Sequence, residues 1–503
     1  LNGTGFGAAA VSMELISVSG GPVTTGGATG DTWTAYRIEA ASAEVLGLDG
    51  ITLKAYDFIV AGNTVTDAAV TAALPVKINW TELSDLFVGM TLTSSTQGID
   101  DAVVFDLGGA VEVDIAGYVL GLGTFSLDIS DHANLDDGNG ITITTAQSLT
   151  ITLRNVNLFA GVGGTFDYDA ATGRAIGVNS SAGTGFVVNN AALDIISLKD
   201  VSPTPNSWTG VAISADGVAL QGLPNSLEFA ITNFSFTMNL DPLNAGPKID
   251  WAGLAIQNTL PLPAAIADLE NTAGITFGGD LVLNITGGVL IAGRLDGAIK
   301  TGDVSDGTTT VANADIFILK VTNTHIFAGV GGKFTYEVDG TTVSGFRTDV
   351  GTGFVGSGVN VEIVAVSDPV GTTPAVVTRT AVNVYIGGLA IQGLDITNAS
   401  FEVFDFVVKG NFVSDVTKAK LDWDAGVTGI TDHITLNGAA LDLTDSTDAG
   451  AIDELMGLQV GGLIQLDLFD SVLAYGSFEL TSSIQDVTDS NGVLIRGAQV
   501  MTL

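Results

Sequence analysis

Apolar and polar residues alternate in many short stretches of this chain, among them Ile141-Thr142-Ile143-Thr144, Leu149-Thr150-Ile151-Thr152-Leu153 and Phe229-Ala230-Ile231-Thr232-Asn233-Phe234-Ser235-Phe236. A period of two predicts half-buried antiparallel strands, because successive side chains of an extended backbone point to opposite faces. Asp137-Gly138, Asp306-Gly307, Asp339-Gly340 and Asn491-Gly492 stand where tight hairpin turns would join such strands. Helical patterning is confined to short pieces, Ala264-Ala265-Ile266-Ala267-Asp268-Leu269-Glu270 and Ala451-Ile452-Asp453-Glu454-Leu455-Met456, and the matching stretch at 99–104 fits neither pattern. The 65 glycines are spread through the strand-like stretches, which predicts long strands broken by bulges and bends.

The alternation is organised by a repeat. Gly3-Thr4-Gly5-Phe6 recurs as Gly183-Thr184-Gly185-Phe186 and Gly351-Thr352-Gly353-Phe354, each followed by a strand pattern. Leu46-Gly47-Leu48 is matched by Gln221-Gly222-Leu223 and Gln392-Gly393-Leu394. Lys77-Ile78-Asn79-Trp80 is matched by Lys248-Ile249-Asp250-Trp251 and Lys420-Leu421-Asp422-Trp423. Gly108-Gly109, Gly278-Gly279 and Gly461-Gly462 are then each expected to open a strand of the alternating kind. An interval of about 170 residues makes each unit domain-sized, larger than a solenoid rung. The expected fold class is all-β: three tandem antiparallel β repeat domains, sandwich or solenoid-like, at 1–182, 183–350 and 351–503, stacked into an elongated rod. The third is incomplete at its C-terminal end, and no low-complexity linker separates them. Gly3, Phe6, Trp80, Gly183, Phe186, Trp251, Gly351, Phe354 and Trp423 define the repeat structurally.

Charge narrows the class of partner. Asp and Glu number 55 against 17 Lys and Arg, for a net charge of −38, while charged residues are only 14% of the chain and apolar ones 46%. A sparse, one-signed surface repels nucleic acid and anionic membranes and favours divalent cations. Cysteine is absent, so no disulfide framework or thiolate metal site can form. No apolar run approaches the ~20 residues of a membrane helix. The opening Leu1-Asn2-Gly3 carries no signal-peptide pattern and reads as an excised or mature piece.

Candidate chemistry is thin. The identical hexapeptides at 159–164 and 327–332, Phe-Ala-Gly-Val-Gly-Gly, suggest a phosphate loop, but Phe334 stands after Lys333 where Ser or Thr is required, and Thr165 replaces the lysine in the first copy. Close strand packing is the expected role of these glycines. His132, His325 and His433 occupy non-equivalent places, and no nucleophile elbow or His-Glu-x-x-His pair exists, so no enzyme is expected. Acidic hairpin loops offer the one cofactor reading. Asp131, Asp136 and Asp137, then Asp303 and Asp306, then Asp486 and Asp489 could supply carboxylates to calcium, and ordinary turn chemistry explains the same residues. Asp167-Tyr168-Asp169 begins like an EF-hand loop, but Ala171 takes a ligand place and Gly173 comes late. Lys77, Lys248 and Lys420 are each expected to pair with a carboxylate while the adjacent Trp closes a core, an exposed ligand-stacking Trp being the other reading.

Taken together, the Gly-Thr-Gly-Phe, Lys-x-x-Trp and Phe-Ala-Gly-Val-Gly-Gly series resembles the repeat regions of giant, acidic, secreted bacterial surface and adhesin-like proteins. The resemblance implies an extracellular or cell-surface structural segment of a filament, stalk, surface layer or adhesin fibre, with copies of itself or further repeats as head-to-tail partners. The calcium nonapeptide of many such proteins is absent. Alternatives from other classes are a glycan-binding or enzymatic module on a β scaffold, and an outer-membrane β-barrel. Ala498-Gln499 aligns with Ala146-Gln147, which leads us to expect both ends of the sequence at a junction with more protein.

Overall fold

In the computed structural model the described residues are 5–20, 31–46, 51–66, 76–94, 98–201, 205–221, 227–240, 247–257, 260, 262–271, 273–285, 288–336, 343–347, 350–369, 376–393, 399–423, 435–436, 439–444, 452–468, 471–490 and 492–503. The protein is all-β, 73% strand and 5% helix, with a large antiparallel sheet. Its residues group into two compact units, one of residues 1–222 with 235–271 and the other of 223–234 with 272–503. These units do not follow the sequence period at 182 and 350.

In the first unit β1 (Gly5–Gly20), β2 (Asp31–Leu46), β3 (Ile51–Thr66), β4 (Val103–Ile115), β5 (Val119–Asp136) and β6 (Thr142–Val162) pair each with the next. The small hairpin β7 (Thr165–Tyr168) and β8 (Ala175–Asn179) is then stepped over, so that β6 pairs with β9 (Thr184–Asp200) and β9 with β10 (Ser207–Gln221). β11 (Leu227–Asn239) is shared between the units, and two short helices, α1 (Trp251–Gln257) and α2 (Ala264–Ala267), complete the first.

The second unit repeats the plan. β12 (Ala273–Ile285), β13 (Val289–Ser305) and β14 (Thr310–Val330) pair in order, the hairpin β15 (Phe334–Tyr336) and β16 (Val343–Phe346) is stepped over, and β14 pairs with β17 (Thr352–Ser367). The ladder continues through β18 (Thr378–Gln392) and β19 (Ala399–Val413). It then steps over the pair β20 (Thr435–Leu436) and β21 (Ala439–Ala440) to β22 (Met456–Leu468), β23 (Val472–Thr488) and β24 (Leu494–Thr502).

The Gly-Gly pairs lie in the middle of β4, β12 and β22, a correction to their expected place at strand starts. The reason is a row of bulges. Asp57 and Phe58 together oppose Gly109, Asn155 and Val156 oppose Gly123, Asn323 and Thr324 oppose Gly293, and Asp405 and Phe406 oppose Gly462. The first residue of each doublet has φ between 48° and 51°, the left-handed region that Asn and Asp tolerate best. On the partner strand a Cβ at Gly293 would lie 2.3 Å from Thr324 Oγ1, and one at Gly109 would lie 2.9 Å from the Tyr56 carbonyl oxygen.

A second glycine seam joins the two other repeated motifs. Gly161 opposes Gly185 and Gly329 opposes Gly353, and a Cβ on either member of each pair would come within 2.7 Å of its partner's Cα. The close strand packing expected of these glycines is found, and the neighbour it brings against Phe-Ala-Gly-Val-Gly-Gly is Gly-Thr-Gly-Phe, with the rings of Phe159 and Phe327 fully buried. Phe186 and Phe354, the aromatics of the repeated tetrapeptide, are half exposed, so glycine spacing rather than the ring is what this motif contributes to the core. Gly3 lies outside the described residues, as does the Asp339-Gly340 turn.

Helix is scarce, as the alternation required, but its placement differs from expectation. α2 occupies four residues of the 264–270 piece, residues 452–456 contain no helix, and among the described residues the longest helix begins on Trp251 itself. Trp251 starts a helix because Asp250 caps it, its carboxylate accepting the Gly253 N–H at 2.8 Å.

Candidate functional site

The segments 77–100, 248–271 and 420–453, each carrying Lys-x-x-Trp, form three modules, of which the described parts pack on the sheet. Their indoles are buried: Trp80 with Ile16, Ala35, Ala61, Leu92 and Ile99, and Trp423 with Ile318, Val364, Ala381, Leu421 and Ile452. No ring face is left to stack on a ligand, which removes the glycan-stacking reading of these tryptophans.

One buried asparagine holds each module. Asn63 Nδ2 donates to the carbonyls of Ile78 (2.9 Å) and Asp100 (2.7 Å), and its Oδ1 accepts from Trp80 Nε1 at 3.0 Å. Asn239 makes the same three bonds to Ile249, Glu270 and Trp251 at 3.0, 3.1 and 3.1 Å. Asn411 makes them to Leu421, Asp453 and Trp423 at 2.8, 2.7 and 3.2 Å. The amide thus ties both ends of a module to its indole from the adjacent strand. Every buried donor in the arrangement is satisfied, as burial demands. Sequence reading missed these asparagines, although Gly62-Asn63, Met238-Asn239 and Gly410-Asn411 all precede their Lys-x-x-Trp. Isolated Asn is too common to signal a clamp without its three partners.

The acidic turns reach forward to the next module. Asp137 Oδ1 accepts the N–H groups of Asn139 and Ile141, both at 2.9 Å, and its Oδ2 accepts Asp250 N–H at 3.2 Å, just before α1. Asn139 also donates to the Asp250 carboxylate, and a Cβ at Gly253 would collide with the Asp137 carbonyl oxygen. Asp306 repeats the device: Oδ1 accepts Thr308 and Thr309 N–H, and Oδ2 accepts Asp422 N–H at 2.9 Å. The remaining candidate ligands also face donors. Asp136 accepts Gly138 N–H, Asp303 accepts Asn313 N–H, Asp486 accepts Gly497 N–H, Asp489 accepts Val493 N–H, and Asp131 pairs with Lys77 and Gln147. Among the described residues no three His, Asp or Glu side chains are gathered as a metal ion would need.

No protein-family model matches this chain, and neither does any curated protein.

Lys77 meets the expected carboxylate, Asp131. Lys420 instead donates to the Met456 carbonyl at 2.6 Å, and burial lowers its pKa against the opposing pull of Asp453. His132 lies 2.8 Å from Ser148 Oγ and His325 stands edge-on to Phe346, the pKa of each lowered by burial. His433 lies outside the described residues. The structure adds one polar cluster that the sequence did not announce. Buried Glu112 accepts from Tyr56 (2.9 Å), Lys54 (3.1 Å) and Tyr168 (3.3 Å), while Arg174 lies 5.0 Å from the Tyr56 ring. Burial, then the Glu112 hydrogen bond, pushes Tyr56 up to about 12, far from proton exchange near neutrality. The cluster pins the β7–β8 hairpin to β3 and β4.

A cavity of about 820 Å³ lies beside the third module, lined by apolar Leu458, Leu480, Ile484 and Met501 and bordered by Lys420 and Asp422. Among the described residues no helix is long and apolar enough to cross a membrane.

Proposed function

We propose that this chain is a structural repeat segment of an extracellular filament, stalk or surface-layer or adhesin fibre. Three β repeats with boundaries near 182 and 350 stack along it, each turn aspartate holding the module of the following repeat. The observation that carries this reading is the forward contact itself, Asp137 to Asp250 and Asp306 to Asp422. A device that spends a buried carboxylate on joining one repeat to the next serves an array, since in stacked repeats stability accumulates through neighbour contacts. Support also comes from the three Lys-x-x-Trp tryptophans, which are buried in the scaffold, and from a charge of −38 on a chain with few charged residues.

Electron microscopy of material taken from the surface of producing cells, with antibody labelling against this chain, tests the proposal. Labelled fibres with a regular axial repeat are expected. Labelled isolated particles, or label confined to the cytoplasm, would overturn it.

A further inference from the structure

The lysines of the first and third modules are placed differently. Lys77 Nζ contacts Asp131 Oδ2, and both side chains are withdrawn from water, at 6% and 15% exposed. Lys54 and Lys320, which also face a buried carboxylate, keep 30% and 25% of their side chains exposed. In the third repeat Ile484 takes the position of Asp131, since it opposes Gln499 as Asp131 opposes Gln147, and Lys420 turns to the Met456 carbonyl instead.

Lys77 and Asp131 are also held in place. The Ile78 carbonyl, next to Lys77, accepts from Asn63 at 2.9 Å, and Asp131 N–H donates to the Ala102 carbonyl at 3.0 Å. Gln147 Nε2 donates to Asp131 Oδ1 at 3.0 Å, so that Oδ2 is the oxygen that meets the ammonium. Such a buried pair is costly, because the attraction of two buried charges often fails to repay the hydration they lose. Joining the two groups removes both charges.

We propose that Lys77 and Asp131 condense into an intramolecular isopeptide bond, Nζ to Cγ, which ties the first module covalently to β5. One ammonium proton passes to Oδ2, leaving a neutral amine against a carboxylic acid. Nζ then attacks Cγ, and the negative charge that develops on Oδ1 faces the Gln147 Nε2–H. A second Nζ proton goes to Oδ2, the Cγ–Oδ2 bond breaks with its electron pair, and one water leaves. Nothing is oxidised or reduced. In free solution hydrolysis opposes such a bond, but well-oriented groups within one molecule react as though present at about 10⁵–10⁸ M, far above the concentration of water. The bond does not depend on the fibre reading. It closes residues 77–131 into a loop and joins the module to the strand that leads into the Asp137 turn.

Intact mass of the full chain, folded and held near neutral pH, tests this. Most molecules are expected to be lighter than their sequence by one water, about 18 Da, while the Lys77→Arg variant, which keeps a positive charge beside Asp131 but lacks the amine, has its full mass. Trypsin then locates the loss under denaturing conditions. With Lys77 acylated, residues 55–154 stay in one fragment that is also one water light, whereas a free Lys77 gives 55–77 and 78–154. Full mass in the folded unsubstituted chain, with cleavage after Lys77, overturns the proposal. A loss of water that persists in Lys77→Arg, or that leaves cleavage after Lys77 unimpaired, overturns it as well, since an Asp-Gly turn can lose water by cyclising onto its own backbone. The fragment from the unsubstituted chain decides the matter even where the variant fails to fold.

Discussion

The hairpins β5–β6 and β23–β24 are built alike and differ in what lies on them. Both are long antiparallel pairs closed by an aspartate turn, yet the first buries Leu135, Ile143 and Asp137 under α1 and its flanks while the second leaves Val487, Ile495 and Asp489 open. Strand pattern alone thus does not decide burial in this protein. Burial of this face is conferred by the module, and the module is held by three attachments: the indole, the asparagine clamp and the aspartate latch.

Removing the indole should separate these attachments most strongly. Trp251→Ala empties a fully buried site in a packed core and is expected to cost about 3–5 kcal/mol, measured by chemical denaturation. Hydrogen exchange should sharpen the result. Amides at 135–143 should exchange faster in the variant and approach the behaviour of 487–495. If they remain protected, the module is not what covers β5–β6.

Asn239→Ala comes next. It leaves the Trp251 N–H and two buried carbonyls without their partner, at about 1–3 kcal/mol for each group that water cannot reach. Asn239→Asp should be no better, since a carboxylate cannot donate to the Ile249 and Glu270 carbonyls. A loss below about 0.5 kcal/mol for Asn239→Ala would mean that the clamp is incidental to the module's seating.

The aspartates test the comparison directly. Asp137→Ala and Asp306→Ala each remove three backbone contacts from a buried carboxylate and should cost about 1–3 kcal/mol. Asp489→Ala, on an exposed turn, should cost about 0.5 kcal/mol or less. Equal losses at all three positions would show that the turn, rather than the latch, is what these residues stabilise.

How much of this could be read from the chain alone follows from the range of the interactions. Alternation, hairpin turns and the meander of strands are local, and Ile141-Thr142-Ile143-Thr144 and Asp137-Gly138 announced them. Recurrence of Lys-x-x-Trp marked a module, and core closure by its Trp was the reading the structure bears out. The clamp was not legible because Asn63, Asn239 and Asn411 acquire meaning only when a loop returns to them from 10 to 42 residues away. The latch spans 113 and 116 residues, so the acidic turns were read for the oxygens they carry rather than for the distant N–H groups they face. Gly-Gly was misplaced for the same reason: its cause is the Asn or Asp bulge on the neighbouring strand.

The smallest expected effect concerns a pair that distinguishes the sheet under the first hairpin from that under the last. Asp106 of β4 opposes Asp128 of β5, whereas the corresponding positions of β22 and β23 hold the neutral pair Gln459 and Thr481. Burial, and then the charge of Asp128, raises the pKa of Asp106; burial is also the largest cause of the rise at Asp128. A carboxyl whose folded pKa is raised destabilises the folded state fully above that pKa, where it is charged in both states. The penalty is relieved as pH falls from the folded value toward the unfolded one near 3.8, because the folded state takes up its proton first. Asp106→Asn should therefore stabilise the protein at pH 7 by up to about 1 kcal/mol, the scale of a like-charge pair directly opposed on a sheet. That gain should shrink on acidification and be gone near pH 4. Thr481→Asn, whose cross-strand neighbours Gln459 and Thr502 are neutral, should show no such pH dependence. Thermal melts of the two variants across this range check the sign, and a gain for Asp106→Asn that grew on acidification would mean the Asp106 carboxylate is held by favourable partners rather than by repulsion and burial.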